Sequence, residues 1–572
     1  MNRISQYRGS FIVGLFFLVV TLLVFGFYQT HTLEGSINNH ILSSEMFGVP
    51  DQLKAHGLRP LYGPAQSGWD GQFYYYMSND LMGIKDTARH IDAPSYRYQR
   101  IGLSLYAATI AALTGKDWVS PATFFFSYLA LIFAATVAGA QLLKRFGAHP
   151  AWILLWSFSI GTQITLFNAL PDAAADAFLI LALALLFSGR LAWSILPFAL
   201  AALSREVYAA FPAAVLLFGA IEGMRQARKD GQPLIGRAIA HVLRRRYILL
   251  AVPALIAVLW NLRVTRHFGV SPASQAHGIL GMPLHAWWNS LMHAWHAVRA
   301  PEQSPVHPEV ISLILFLLVL IAALAVAIRT LRYRTATPEL RGVALGAAFF
   351  AMLYSAFGPT VTGDYTGYFK AVAVFFYLIP LMVTVAPMKR GPKVVVYGLL
   401  LIALVFTSSV NLSVRILARN FNEDRYTHMS AFTEARRFEC FGKYEAKIHV
   451  NSVQLLKSNR LATLYGRGDR MVVNVALTNT GTHPFISSRN FGSVFMSFHW
   501  VDSTGNVVLD GTRSALLKPV EPGATENVDI VTAIPTGFGP VTMKLSPVQE
   551  GCSWFYQSNP DVTSDISFTS DN

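Results

Sequence analysis

The chain has 572 residues, 53% of them hydrophobic and only 14% charged, with a mean hydropathy of +0.39. A soluble domain carries about a quarter charged residues, so this balance excludes an ordinary soluble enzyme and points to a membrane. The net charge of +14 is no sign of nucleic-acid binding. Lys and Arg sit mainly in short loops between apolar runs, as the positive-inside rule predicts, and no zinc-finger spacing, RNA-binding signature or Walker loop is present.

A helix that crosses a bilayer needs about 20 mostly apolar residues. Runs of this kind lie at 11–28, 121–143, 151–170, 173–188, 191–204, 207–222, 247–262, 309–328, 342–357, 370–387 and 394–411, the one at 191–204 being short and holding Pro197. A further apolar helix at 100–114, flanked by Arg97, Arg100 and Lys116, decides the topology. If it lies along the surface, the N-terminus with Arg3 and Arg8 is cytoplasmic and the strongly basic loops at 225–246, 329–341 and 389–393 all face inward. If it crosses, the Arg244-Arg245-Arg246 cluster faces out. The expected fold is therefore a polytopic α-helical membrane protein of about eleven spans over 1–412, with a first outer loop at 30–99. The first segment reads as an anchor, since no small-residue cleavage site follows Tyr28.

Apolar runs stop after Val410, and a linker at 413–440 leads to a second domain at 441–572. There the pattern alternates with period two in KIHVNSVQLL, RMVVNVALTNTG, SVFMSFHWVD, GNVVLDG, ENVDIVTAI and VTMKLSPV. Short strands at this spacing predict an all-β sandwich. The only two cysteines, Cys440 and Cys552, lie near its ends. With the C-terminal domain outside, they fall in an oxidising compartment and are expected to form a disulfide.

The chemistry-bearing residues fall in segments assigned to the outer side. The densest is Gly68-Trp69-Asp70-Gly71-Gln72-Phe73-Tyr74-Tyr75-Tyr76, followed by Asp92-Ala93-Pro94-Ser95-Tyr96-Arg97-Tyr98-Gln99-Arg100. A carboxylate among aromatic rings suits a sugar, and Arg97 and Arg100 at the head of a surface helix suit a phosphate near the headgroups. The bland reading is an aromatic interfacial belt with snorkelling arginines. Asp172 and Asp176 share one helix face at i and i+4, with Asp172 alternatively a helix cap. Arg205 and Glu206 sit at another outer turn, where a structural ion pair is the alternative. Tyr368 and Lys370, after Asp364, are placed to meet a lipid phosphate. The loop 263–308, with His285, Trp287, Trp288, His293, Trp295 and His296, reads as an amphipathic interfacial helix rather than a metal site.

The outer-loop WDGQFYY motif, the surface helix after it, the second acidic motif after the third span and the many spans together resemble the GT-C superfamily of membrane glycosyltransferases. WDGQFYY is similar to the first-loop Trp-Asp motif of its members that use lipid-phosphate sugars, and DAPSYRYQRIG resembles the segment that follows in related bacterial membrane proteins. The stretches Asn479-Thr480-Gly481, His499-Trp500, Asp510-Gly511, Glu521-Pro522-Gly523 and Gln549-Glu550-Gly551 through Trp554-Phe555 resemble a sandwich appended to some bacterial sugar-handling enzymes. No WWD-type motif occurs in the soluble domain, which separates the chain from the oligosaccharyltransferase branch.

The resemblance implies an inverting transferase in the bacterial inner membrane, its C-terminal domain periplasmic. It would take a monosaccharide from a polyprenyl-phosphate-linked sugar to a glycan acceptor. By the resemblance Asp70 is the general base. Trp69, Gln72, Tyr74, Tyr96, Asp172, Asp176, Glu206 and Tyr368 contact substrate. Arg97, Arg100, Arg205 and Lys370 balance the departing phosphate. A divalent cation, magnesium or manganese, would sit on Asp70 and Asp172 if one is used. A polysaccharide ligase or polymerase, a lipid-linked glycan transporter and a non-catalytic envelope protein remain open alternatives.

Overall fold

A computed structural model describes residues 3–31, 33, 35–61, 67–276, 278–298, 308–363, 365–411, 438–457, 469–487, 492–516, 518–533 and 540–568. The chain forms two compact units. One comprises Met1–Ile41, Asp70–Val298 and Pro308–Ser409 and is helical; the other comprises Leu42–Trp69, Arg299–His307 and Val410–Asn572 and carries the strands. Most of the linker read at 413–440 lies outside the described residues.

Among the described residues seven helices are long and apolar enough to cross a membrane: Arg8–Thr30, Pro121–Arg145, Glu206–Lys229, Tyr247–Phe268, Glu309–Arg332, Tyr365–Val385 and Arg390–Val410. Local chemistry sets their ends. Ser120 accepts from the Thr123 N–H ahead of Pro121, so the second helix starts with a cap and a proline at its first position. Gly269, with φ +70°, closes the Val252–Phe268 helix in a left-handed conformation that suits glycine.

The run read as one span at 151–170 is broken instead. Pro150–Ser157 and Ile160–Phe167 meet at 56°, because Ser159 leaves helical geometry to accept from the Thr162 N–H and so starts a new helix. Asp172–Phe187 and Leu191–Ser204 are shorter than a full span, at 16 and 14 residues. The run at 342–357 is the helix Pro338–Ser355, and the segment at 100–114 is the helix Gly102–Leu113. In the loop 263–308, the helix His285–Val298 splits its two described tryptophans. Trp288 is 61% exposed, while Trp287 is buried, stacks on Phe316 at 4.2 Å and donates to the Tyr354 carbonyl. The side chains of His293, Trp295 and His296 lie outside the described residues.

The second unit holds two antiparallel sheets. β1 (Ala446–Leu456), β2 (Arg470–Asn479) and β5 (Thr525–Ala533) run in the order β1-β2-β5. β4 (Val507–Asp510), β3 (Val494–Val501), β6 (Val541–Gln549) and β7 (Ser553–Trp554) form the other, with β8 (Ser564–Phe568) also pairing β6. One core takes Val473, Val475, Leu477, Val528 and Ile530 from the first sheet and Met496, Phe498, Trp500, Met543 and Leu545 from the second. That shared core is what the period-two alternation encodes. β3 is buried throughout, because Phe495 on its opposite face packs with Ala515 and Val548. Cys440 and Cys552 form a disulfide across a sequence separation of 112.

Candidate functional site

The helix Gly71–Ser78 begins one residue after Asp70, so Asp70 sits at its N-terminal end, where helix dipoles favour a carboxylate. Gly71 makes that placement possible. A Cβ built there would lie 1.9 Å from the Asn168 carbonyl oxygen and 2.8 Å from the Ala169 Cβ, so only glycine lets this helix start against the 168–169 corner. Gly161 plays the same part elsewhere, since its Cβ would fall 2.4 Å from the Phe369 oxygen and 2.9 Å from the Lys370 Cα. These two close approaches draw the Asp70 segment, the Asp172 helix and the Lys370 helix together.

They enclose a cavity of about 230 Å³ whose wall includes Asp70, Tyr74, Tyr96, Arg97, Arg100, Asp172, Arg205, Thr360 and Lys370. Residues read from five separate stretches of sequence therefore share one cleft. The Arg97 guanidinium is the best-held group in it. Its Nε and Nη2 donate to Asp92 at 2.9 and 2.7 Å, and its Nη1 donates to Asp70 Oδ2 at 2.8 Å. A planar fork can bind two carboxylates in this way where an ammonium cannot. Burial pulls the Arg97 pKa down, but the Asp92 hydrogen bonds and the charges of Asp70 and Asp92 raise it well above its ordinary value. Burial likewise raises the Tyr74 phenol against the lowering effect of Arg97 and Arg100, so Tyr74 stays neutral at physiological pH. Arg100 lies over the Tyr96 ring at 4.3 Å.

The acidic pairs are arranged differently from their sequence spacing. Asp172 is the first residue of its helix and accepts from Arg205; no capping hydrogen bond is made there. Glu206 accepts from Arg100 at 3.2 and 3.3 Å rather than pairing with its neighbour Arg205. Asp176, one turn beyond Asp172, leaves the cavity altogether. It is buried and accepts from Trp156 Nε1 at 2.9 Å and from the Tyr208 hydroxyl. This makes Asp176 a structural acceptor.

Three other expected contact residues are not among the lining residues, and a fourth, Trp69, falls in the other compact unit. Gln72 is fully buried, and Glu206 bonds to the lining residue Arg100. Tyr368 packs edge-on against Trp287 and Phe316, with ring centroids 5.4 and 5.1 Å away, and lines a neighbouring cavity of about 270 Å³ instead. Asp364 is outside the described residues.

The lining carries Arg97, Arg100, Arg205 and Lys370 with Asp70 and Asp172, and Asp92 and Glu206 bond directly to Arg97 and Arg100, so four cations meet four carboxylates. Lys370 makes no ion pair among the described residues, and the buried Nε of Arg205 has no hydrogen-bond partner among them. Asp92 was visible in its motif, but nothing in its spacing marked it as the carboxylate that orients Arg97. Among the described residues no three His, Cys, Asp or Glu side chains converge as metal ligands, and the two cavity carboxylates are each held by an arginine. This donor set does not fit a resident divalent cation. No family model, characterised protein or solved structure matches the chain.

Proposed function

We propose that the chain is an inverting glycosyltransferase of the GT-C type, moving a monosaccharide from a polyprenyl-phosphate donor to an envelope glycan or lipid-linked acceptor. The observation that carries this reading is the cavity wall: the Asp70 carboxylate shares it with Arg97, Arg100, Arg205 and Lys370, and Lys370 makes no ion pair among the described residues. A phosphate-linked sugar needs both signs at once, cations for its phosphate and a carboxylate for the attacking hydroxyl. The volume of about 230 Å³ lies just below the roughly 300–1,000 Å³ of drug-sized ligand cavities and suits one sugar ring.

In the proposed reaction the acceptor hydroxyl oxygen attacks the anomeric carbon from the face opposite the phosphate. The bond from that carbon to the phosphate oxygen breaks, and its electron pair leaves with the polyprenyl phosphate. Arg97 holds Asp70 by Oδ2, so Oδ1 takes the acceptor proton. Lys370 and Arg205 meet the charge that develops on the leaving phosphate, the kind of preorganised interaction that weighs most in catalysis. Tyr96 and Tyr74 offer aromatic surface to the ring.

In this reading the broken run at 150–167 and the short helices Asp172–Phe187 and Leu191–Ser204 each count as one crossing of eleven, which gives a single outward-facing site. Alternation from a cytoplasmic N-terminus assigns Asp70, Arg97, Asp172, Arg205 and the 357–371 segment to one side. The Gly102–Leu113 helix fits a path along that surface. It starts tightly against Ser204, and Lys116 just past its end donates to Thr123 at the start of the next long helix. In this reading the two-sheet domain with its disulfide is a periplasmic sandwich.

The test is Asp70→Asn in a strain relying on that copy, with envelope glycan mass as the readout. The expected result is a product lighter by one monosaccharide, with membrane protein level and thermal unfolding unchanged. Full-length glycan from a well-folded variant ends the proposal.

A further inference from the structure

A second, larger cavity of about 1070 Å³ opens at the other end of the Glu206–Lys229 helix. From Glu206, beside the first cavity, to Arg225 in the second, the helix rises about 29 Å at 1.5 Å per residue, close to a hydrocarbon thickness of about 30 Å. Its basic side chains come from separate elements. Arg225, Arg228 and Lys229 end one helix, Arg245 follows the short helix Leu234–Arg244, and Arg332, Arg334 and Arg341 flank the turn before Pro338–Ser355. The acidic residues facing them are Glu222 and Glu339. Glu222 lies 3.9 Å from Arg225, and Glu339 accepts from the Tyr247 hydroxyl. Among the described residues, Arg228, Lys229, Arg245, Arg332 and Arg334 make no ion pair. Positive charges that merely mark the inner side of a membrane project separately into water. Here they converge on one hollow.

An independent feature borders it. The helix Leu234–Arg244 is docked by Ala238 and His241 so closely against Gly223 that a Cβ there would come within 2.8 Å of the His241 Cβ. Its basic residues Arg237, His241 and Arg244 share one side. On the other side Ile235, Ile239 and Leu243 are 75, 55 and 56% exposed. A soluble polyanion would satisfy the arginines and leave those three apolar side chains in water. A phospholipid answers both, its phosphate among the cations and its acyl chains over the apolar face.

We propose that this cavity binds the headgroup of an anionic phospholipid, phosphatidylglycerol or cardiolipin, whose chains cover the exposed face of the Leu234–Arg244 helix. The site is independent of the reaction assigned to the Asp70 cavity. Its function is to fix the depth and rotation of the helices that carry Arg205 and Tyr354 at their far ends.

The test uses the full-length chain purified in non-ionic detergent, with binding of phosphatidylglycerol and of phosphatidylcholine counted by native mass spectrometry. The wild type is expected to retain phosphatidylglycerol at least about tenfold more tightly. Replacing Arg228, Arg245, Arg332 and Arg334 together by Gln should lower that affinity by at least about 100-fold, since each basic residue near an anionic surface contributes about a fivefold factor. The same four changed to Lys should keep it, because a headgroup phosphate accepts point charges. The single Arg334→Gln variant, at an exposed turn, provides the graded loss should the fourfold variant fail to fold. Equal affinity for the two lipids, unchanged binding in the Gln variants, loss in the Lys variant, or displacement of the lipid by millimolar glycerol phosphate would each overturn the assignment.

Discussion

Replacing Gly71 by alanine tests how the site is built without touching any charged group. The added carbon would sit 1.9 Å from the Asn168 carbonyl oxygen, where an ordinary contact is about 3.3 Å, so the two segments must part by about 1.4 Å. Neither side yields easily. One atom is backbone oxygen, and the following residue, Ala169, already holds φ at 57°. Overpacking typically costs about 1–3 kcal/mol, and a clash with backbone belongs at the upper end, about 3 kcal/mol. Because Asp70 is next in sequence, the same displacement moves its carboxylate relative to Asp172 and Lys370. A misplacement of about 1 Å is expected to lower glycosyl transfer by about 100-fold. The assay is detergent-solubilised thermal unfolding by tryptophan fluorescence, paired with transfer to acceptor. Gly398→Ala is the control, since nothing lies within 4 Å of its Cβ in the Arg390–Asn411 helix. It should be neutral or stabilising by up to about 1 kcal/mol. If Gly71→Ala unfolds with the control and transfers at the wild-type rate, the close approach does not shape the site.

Further outcomes follow from the same geometry. Lys370→Gln is expected to reduce transfer by about 100- to 1,000-fold with the fold retained, and Lys370→Arg to recover part of it; a wild-type rate in Lys370→Gln would remove Lys370 from the phosphate site. His40 is buried among Phe25, Phe125 and Phe167, and loss of solvation lowers its pKa from 6.5 to about 3. A depressed folded-state value means the stability is complete above pH 6.5 and declines as pH falls toward 3, by about 2 kcal/mol at pH 5. His40→Leu should flatten that dependence in unfolding measurements between pH 7.5 and 5, and an equal slope in both proteins would count against it. The Cys440–Cys552 bond closes a separation of 112 residues, for which chain entropy predicts about 4–5 kcal/mol. Denaturant unfolding followed at the buried Trp500 should therefore shift markedly to lower urea in reductant; coincident curves would show that the bond contributes little.

The readable parts of this chain are those where one residue's environment repeats with a fixed period. The six alternating segments after Tyr444 fall within a residue or two of β1 to β6, because a strand between core and surface writes its period into the sequence. β7 and β8, with two and five residues, carry too short a pattern to detect. Long apolar helices were legible for the same reason. The break near Ser159 was not, since it arises from one hydroxyl cap inside a run that stays hydrophobic. Asp172–Phe187 and Leu191–Ser204 are apolar throughout yet shorter than the runs around them, because apolarity reports burial and not what provides it.

Sequence alone determined that aromatic, acidic and basic residues concentrate in the segments between apolar runs, and which residue types could work there. It could not determine partners. Asp172 and Asp176 look equivalent one turn apart, yet one faces Arg205 in the cavity and the other is sealed by Trp156 and Tyr208. Arg205 and Glu206 are adjacent but bond to Asp172 and Arg100, over thirty and a hundred residues away in the chain. Ion pairing depends on distances of a few ångströms across separate helices. Those distances are set by where glycines such as Gly71 and Gly161 allow backbones to touch, a condition met only once the whole helical unit has packed.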